Sequence, residues 1–383
     1  MPAIAAIAGI GETADTRGSG QSVVSLQLAA AQAACVDAGI APSAIDGIVT
    51  CSVGAVIAEE FVTNFDIADQ CLSAHVPMGG ASCVAALQIA VGAIATGACR
   101  HVLIPAGRNG YSRSRVSGRI AEMPQMDPVT EFEAPLGSLA PAQHYAVMAR
   151  RHMEVYGTTS RQLGRIAVAM RQHAILNGRA LMTKPMTLAD HQASRMIADS
   201  FRLFDCCLGS DGAAAVIVSA ADHAARVHAH PAQILAVAEG HPESPMAITQ
   251  RADMTVLGIA KAAARVWDMA GVGPEDTDVA ELYDCFTYTV LCQLEDLGFC
   301  RKGEGGRFVE SGAIELGGRL PVNTHGGLLS QAHVSGMNHI VELVRQLRGE
   351  AGAAQVAGAR LGVVSGYGDL GDGSVAVLGR GGS

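Results

Sequence analysis

The chain has 383 residues, of which 49% are apolar and 16% charged, and its formal net charge is −9. So much apolar sequence can bury a large core, while the acidic balance and the lack of any basic stripe argue against nucleic acid or an anionic membrane as partner. No apolar run reaches the roughly 18 residues of a membrane span, and the start, from Met1 to Ala8, lacks the basic region of a signal peptide.

Taken in chain order, Pro2 to Gly9 predicts a buried strand, Val23 to Gly39 a helix and Ile45 to Cys51 a second strand. Val84 to Gly97 is small and apolar on nearly every face, which predicts a buried helix. His101 to Ala106 follows as a strand. From about residue 112 to 200 charge, methionine and histidine increase, and helical spacing runs over Pro141–Tyr156 and Ser160–Asn177: a largely helical insertion. Strands are predicted again at Ala213–Ser219 and Ala232–Val237. A helix at Met254–Ala270, a strand at Val279–Leu282 and helices at Thr287–Leu297 and Ser335–Leu347 follow. Strands at Gly362–Ser365 and Ser374–Gly379 end the series. Strand–helix alternation predicts a layered α/β fold in two halves, residues 1–225 and 226–383.

The ten cysteines do not read as a disulfide framework. Cys83, Cys99, Cys206, Cys207, Cys285, Cys292 and Cys300 lie in or beside apolar segments, as small buried hydrophobes do. There is no CxxC pair, so no structural zinc site is expected, and a reducing cytoplasm is the simplest setting. His333 and His339 lie too far apart for a HxxxH metal pair. Gly9-Ile-Gly-Glu-Thr-Ala14 matches the GxGxxA pattern of dinucleotide folds, but the helical pattern starts only near Val23, too late to cradle a pyrophosphate.

Three junctions carry polar groups suited to chemistry. Gly79-Gly80-Ala81-Ser82-Cys83 opens a helix, where free amides favour a thiolate or an oxyanion; close packing of small residues is the alternative reading. Glu281-Leu-Tyr-Asp-Cys-Phe-Thr287 follows a strand, where ligands bind in open α/β sheets. There Tyr283 either works in a site or packs its ring, and Asp284 either does likewise or caps the next helix. Asn323-Thr-His-Gly-Gly-Leu-Leu-Ser-Gln-Ala-His333 holds two candidate proton carriers, His325 and His333. Ser365-Gly-Tyr-Gly-Asp-Leu-Gly-Asp-Gly373 reads as a hairpin, with Tyr367 its one notable side chain.

Together these stretches resemble the thiolase superfamily, in the sterol-carrier-protein-X branch. Gly80-Ala-Ser-Cys83 sits where thiolases have C-x-S-G, and Tyr283-Asp-Cys-Phe286 sits at N-E-A-F. Asn323-Thr-His-Gly-Gly327 through His333 sits at N-P-x-G-G…G-H-P, and Ser365-Gly-Tyr367 at C-x-G. The resemblance implies a doubled βαβαβαββ unit in five α-β-α-β-α layers, with a dimer formed through the first half. Both catalytic thiols of that family are missing: Gly80 and Ser365 occupy their positions, and Cys83 replaces a glycine.

A closer likeness is to the thiolase-like aldolases that remove steroid side chains from CoA esters. It runs through Leu282-Tyr-Asp284, Leu297-Gly-Phe-Cys300, Gly317-Gly-Arg-Leu-Pro321 and Val344-Arg-Gln-Leu-Arg-Gly349. Those aldolases also lack the thiol and work with a small zinc-ribbon/OB-fold partner. The likeness implies retro-aldol cleavage of a β-hydroxyacyl-CoA. Tyr283 is then one base or acid, His333 stands where the aldolases have a second tyrosine, and His325 is a candidate enolate donor. Gly79, Gly80, Asn323, Gly326, Gly327 and Tyr367 are the expected substrate-binding positions. The two N-terminal glycines are expected to leave an open space for the thioester. Cys83, about one helical turn past the reactive position, is expected to be packing. The chain itself is expected to bind no metal and no cofactor, with the CoA thioester as substrate. The alternatives are an unconventional thiolase using Cys83 or another thiol, and an acyl-CoA-binding subunit without catalysis.

Overall fold

The structure is a computed structural model that describes residues 3–51, 56–113, 127–243, 248, 251–368 and 371–382. Strands β1 (Ala5–Glu12), β2 (Gly47–Cys51), β3 (Leu72–Val76), β4 (His101–Asn109) and β7 (Asp211–Ala220) belong to the first half. Strands β8 (Ala232–Gly240), β9 (Val279–Glu281), β10 (Leu361–Tyr367) and β11 (Gly373–Arg380) belong to the second. They form one run in the order β3-β2-β4-β7-β1-β8-β11-β10-β9.

The two halves repeat one pattern outward from β1 and β8. Each of these strands pairs antiparallel with the last strand of its half, β7 or β11. That strand pairs antiparallel with β4 or β10, which in turn pairs in parallel with β2 or β9. Between β1 and β8 the two halves pair through Ala6–Gln233 and Ile7–Ala232.

Pleating explains the layers, because alternate side chains leave a strand on opposite faces. In β7, Ala214, Val216 and Val218 face a central core, and Ala213, Ala215 and Ile217 face an outer one. In β11, Ala376 and Leu378 face the same central core, while Val375 and Val377 face a third. Helix α3 (Ser82–Ala95), with Leu87 and Ala90 buried, shares that central core with Met337–Arg348, both helices lying against both halves of the sheet. Helices α1 (Val23–Asp37) and α2 (Ala58–Phe65) cover the first outer face. The helix at Ile259–Ala270 covers the other. The result is α-β-α-β-α, as expected. Truncating a fully buried residue such as Leu87 to alanine costs about 2–5 kcal/mol.

Most predicted elements are present within a few residues. The sequence reading missed α2 and β3. Each is short, and β3 is a half-exposed edge strand whose five residues give little periodic signal. Strand β1 runs on through the GxGxxA stretch. A Cβ at Gly9 or Gly11 would lie 2.1 Å from the Ala34 or Ala30 carbonyl, so these glycines let α1 pack directly on the strand. The insertion holds α4 (Pro141–Tyr156), α5 (Ser160–Asn177), α6 (Leu188–Ala193) and a small ribbon, β5–β6 (Met196–Ala198, Phe201–Arg202). Its stretch 114–126 lies outside the described residues. Ser365 to Gly373 is a β10–β11 hairpin. Helices α7 (Ala221–Val227), α8 (Ile259–Ala270), α9 (Thr287–Asp296), α10 (Gly305–Glu310), α11 (Gly327–Ser330) and α12 (Met337–Arg348) complete the fold. Among the described residues, no helix is long and apolar enough to cross a membrane. All ten cysteines are free thiols.

Candidate active site

Tyr283 lies just past the end of β9. Its backbone is fixed from two sides. Its N–H donates to Ser365 Oγ at 3.2 Å, and its carbonyl accepts from Gln293 Nε2 at 2.7 Å. Ser365 Oγ in turn donates to Gln293 Oε1 at 2.6 Å. Ser365, at a position where thiolases keep a thiol, is therefore a structural brace.

The Tyr283 ring runs toward the start of α3 and fits between two glycines. A Cβ at Gly80 would lie 2.2 Å from Tyr283 Cζ and 2.4 Å from its hydroxyl. A Cβ at Gly336 would lie 2.9 Å from Cδ2. This corrects the expectation of an open space over Gly79 and Gly80: the phenol fills the place beside Gly80. Gly79 carries the positive φ of +53° that lets the chain turn into α3.

His333 is the phenol's polar neighbour. Its Nε2 lies 3.5 Å from the Tyr283 hydroxyl, at the outer limit of a hydrogen bond. Its backbone N–H donates to Ser210 Oγ at 2.8 Å. Arg108, at the end of β4, places Nη1 2.8 Å from His333 Nδ1 and 3.0 Å from Nε2. The Ser335 N–H donates to Nδ1 at 3.3 Å. The structure thus brings Tyr283 and His333 together as expected, and adds Arg108, which the sequence reading missed. An arginine ending a buried strand (His101–Asn109) beside an insertion was the available signal.

The remaining expected residues form the frame behind the pair. The Asn323 side chain is used up on the backbone: Oδ1 accepts from Leu282 N–H at 2.6 Å and Nδ2 donates to the Leu282 carbonyl at 2.8 Å. It positions the residue before Tyr283 and is fully buried. Gly326 and Gly327 are close-packing glycines. A Cβ on Gly326 would meet Ala174 Cβ at 2.5 Å, and one on Gly327 would meet Asp284 Oδ2 at 2.0 Å. Tyr367 is fully buried, its ring edge-on to Tyr145 with centroids 5.6 Å apart and its hydroxyl 3.9 Å from Met148 Sδ. Burial pushes its phenol well above the usual range. These positions are thus corrected from substrate contacts to supports.

His325 is also set back. Its ring meets His339 edge-on at 4.7 Å, and His339 lies nearly parallel to the Tyr283 ring at 6.1 Å. His325 Nδ1 lies 2.9 Å from Glu281 Oε2 but out of line, so neither ring nitrogen makes a hydrogen bond. Burial, then the neighbouring His339, push this imidazole well below its usual range, so it is neutral. The structure places it one layer from the reacting pair, which corrects its expected role as a direct enolate donor.

Asp284 caps a different helix from the one expected. It accepts the Leu328 N–H at 2.7 Å and the Leu329 N–H at 3.2 Å, at the start of α11, and pairs with His339 Nε2 at 3.0 Å. It ties the 327–330 turn to the strand end that carries Tyr283.

Beneath this lies a buried acid pair. The Thr324 hydroxyl is 2.8 Å from Glu281 Oε1 and 2.9 Å from Glu342 Oε1, and it accepts from Gln346 Nε2 at 2.9 Å. One hydroxyl hydrogen can serve only one carboxylate, so the other contact needs a carboxyl proton. Burial pushes each carboxyl up to about 8. Each group binds its proton more tightly folded than unfolded. The stability it contributes is complete below about pH 4.5 and is lost as pH rises through about 8. Glu342→Gln is therefore expected to flatten the fall of Tm between pH 6 and 8.5, gaining about 2 °C or more over the parent at the upper end. Equal slopes in calorimetry would contradict the shared proton.

Cys83 is fully buried and donates to the Ser335 carbonyl at 3.3 Å, under the turn that presents His333. Cys83→Ala is expected to retain turnover within about threefold, because it loses only packing and weak sulfur contacts to Ser335 and Cys51. Abolished turnover in a folded variant would restore the thiol as nucleophile.

Comparison with known proteins gives the family. Residues 240–380 match the thiolase C-terminal domain-like family. The chain is 38% identical to the 17-hydroxy-3-oxo-4-pregnene-20-carboxyl-CoA lyase of Mycobacterium tuberculosis over 353 residues, covering 90% of this chain and 92% of the lyase. It is 38% identical over 357 residues to a steroid side-chain-cleaving aldolase of Thermomonospora curvata, covering 91% of each. A solved structure described as the Ltp2-ChsH2(DUF35) aldolase superposes with a TM-score of 0.93 at 36% identity, covering 99% of this chain and 98% of that one. The chain belongs to the thiolase superfamily, and within it to the lyases that include the steroid side-chain-cleaving aldolases.

Proposed function

We propose that the chain catalyses retro-aldol cleavage of a β-hydroxyacyl-CoA bearing a bulky steroid-type group, giving a ketone and a short acyl-CoA. One observation carries the reading: the place beside Gly80, where a thiolase nucleophile would stand, is filled by the Tyr283 phenol facing His333. A phenol and an imidazole move protons, whereas an acyl-enzyme route needs the thiol.

The proton of the β-hydroxyl passes to the Tyr283–His333 pair. The hydroxyl oxygen's electrons form the ketone, and the Cα–Cβ bond breaks. Its electron pair enters the thioester as an enolate, and the pair returns a proton to Cα. No proton is consumed overall and the thioester survives. Arg108 supplies positive charge near the developing anion in a largely buried site. The insertion contributes Tyr145, Met148 and Phe201 to the buried aromatic cluster around Phe286 and Tyr367.

A small partner subunit with a zinc ribbon and an OB fold belongs to this reading, supported by the two-component description of the aldolase structure. We place a homodimer at the first half, where β3 is a free sheet edge with Ser73 and His75 exposed. Two copies of each subunit then make a heterotetramer. The cytoplasm fits ten free thiols. A division near residue 225 follows the repeated strand pattern.

The test of the proton pair is His333→Ala, assayed with the partner present. A loss of about 100-fold or more in kcat is expected. A rate within threefold of the parent would remove His333 from the mechanism.

A further inference from the structure

His333 is held by more donors than a catalytic imidazole needs. Arginine donates only and stays charged at any working pH. A nitrogen that accepts from Arg108 therefore presents a lone pair. Nδ1 receives two N–H groups, Arg108 Nη1 at 2.8 Å and Ser335 at 3.3 Å. The same Nη1 is 3.0 Å from Nε2, the nitrogen 3.5 Å from the Tyr283 hydroxyl, so the guanidinium lies against both ring nitrogens.

Arg108 itself is half-buried, and among the described residues no carboxylate lies within ion-pair distance of it. Its side chain folds over Gly110, where an added Cβ would lie 2.8 Å from Nε. The ionisable groups around the pair come from every side. Arg108 reaches in from β4, with Cys207 beside it, a thiol that burial raises to about 11. Cys83 lies under Ser335. Asp284 and His339 are paired with each other, and His339 lies nearly parallel to the Tyr283 ring at 6.1 Å. Among the described residues, the arginine is the charged group in direct contact with the imidazole.

We propose that Arg108 is a positioning residue of the reaction, whose guanidinium holds the His333 ring beside the Tyr283 hydroxyl and keeps the imidazole neutral. This rests on the proton-pair reading above. Its consequence has a definite sign. A fixed cation beside an imidazole disfavours the imidazolium, so removing it makes His333 easier to protonate. An imidazolium has no lone pair left and can accept no proton in the reaction. Positive charge near Tyr283 also favours phenolate, so loss of Arg108 makes the phenolate less available.

The experiment uses the full chain with its partner, as parent, Arg108→Met and Arg108→Lys. Two readouts are taken: kcat/KM against pH for a β-hydroxyacyl-CoA, and the nitrogen chemical shifts of His333 in histidine-labelled protein. In Arg108→Met the acidic limb of kcat/KM is expected to move up by about one pH unit or more, which makes the rate at pH 6 fall about tenfold further than at pH 8.5. The His333 titration moves up with it. Arg108→Lys keeps the charge without the planar fork, so its limb stays near the parent's while kcat falls. A raised KM with unchanged kcat and pH profile would make Arg108 a ligand-charge contact and overturn the proposal. So would a His333 titration unmoved in Arg108→Met. The nitrogen shifts need no turnover, so they test Arg108 even if the lyase assay shows no cleavage, and that failure would fall on the proposed reaction alone.

Discussion

Replacing Tyr283 by phenylalanine is expected to lower kcat by about 100-fold or more with little change in fold. The ring stays, and so do the contacts that hold it: Gly80 and Gly336 close beside it, His339 nearly parallel to it, and backbone bonds to Ser365 and Gln293. Only the hydroxyl is lost, and with it the atom that faces His333. The measurement is turnover of a β-hydroxyacyl-CoA beside a thermal melt. A folded variant within tenfold of the parent would take the phenol out of the proton transfers.

The second large effect concerns Gly80. Gly80→Cys restores the residue type that thiolases use there, yet it is expected to lose lyase activity by about 100-fold or more and to gain no thiolysis. The added Cβ would lie 2.2 Å from Tyr283 Cζ and 2.4 Å from the Tyr367 carbonyl oxygen. Backbone on one side and a braced ring on the other leave the phenol as the group that must move. A shift of about 1 Å at a catalytic group costs on this scale. Gly80→Ala tests the steric part alone and should behave similarly. Either variant with parental rates would contradict the placement of the phenol over Gly80.

Those two positions also mark what could be read before the structure. The layered fold, the helices of the insertion and the Tyr283–His333 pairing were legible, because long periodic segments and motif order carry that information. The roles of the glycines were not. Gly80, Gly326 and Gly327 look alike in sequence, yet one faces Tyr283, one faces Ala174 and one faces Asp284. A glycine states only that something comes close, and what comes close is set by segments far away in the chain. Asn323 misled for a related reason: its amide meets Leu282, which is 41 residues distant. His325 looked like a proton carrier by residue type, whereas burial against His339 and Glu281 decides its state. Arg108 escaped because it is a single charge at the end of an apolar strand, and only the fold brings it to His333, 225 residues away.

The central claim is cleavage of a carbon–carbon bond with the thioester kept intact. It is tested most directly by giving the chain and its partner subunit a β-hydroxyacyl-CoA with a steroid side chain, without free CoA, and quantifying both products. The account predicts a ketone and a short acyl-CoA in equal amounts, at a rate unchanged by added CoA or by iodoacetamide at accessible thiols. Product formation that strictly requires free CoA would contradict it and return the chain to thiolysis.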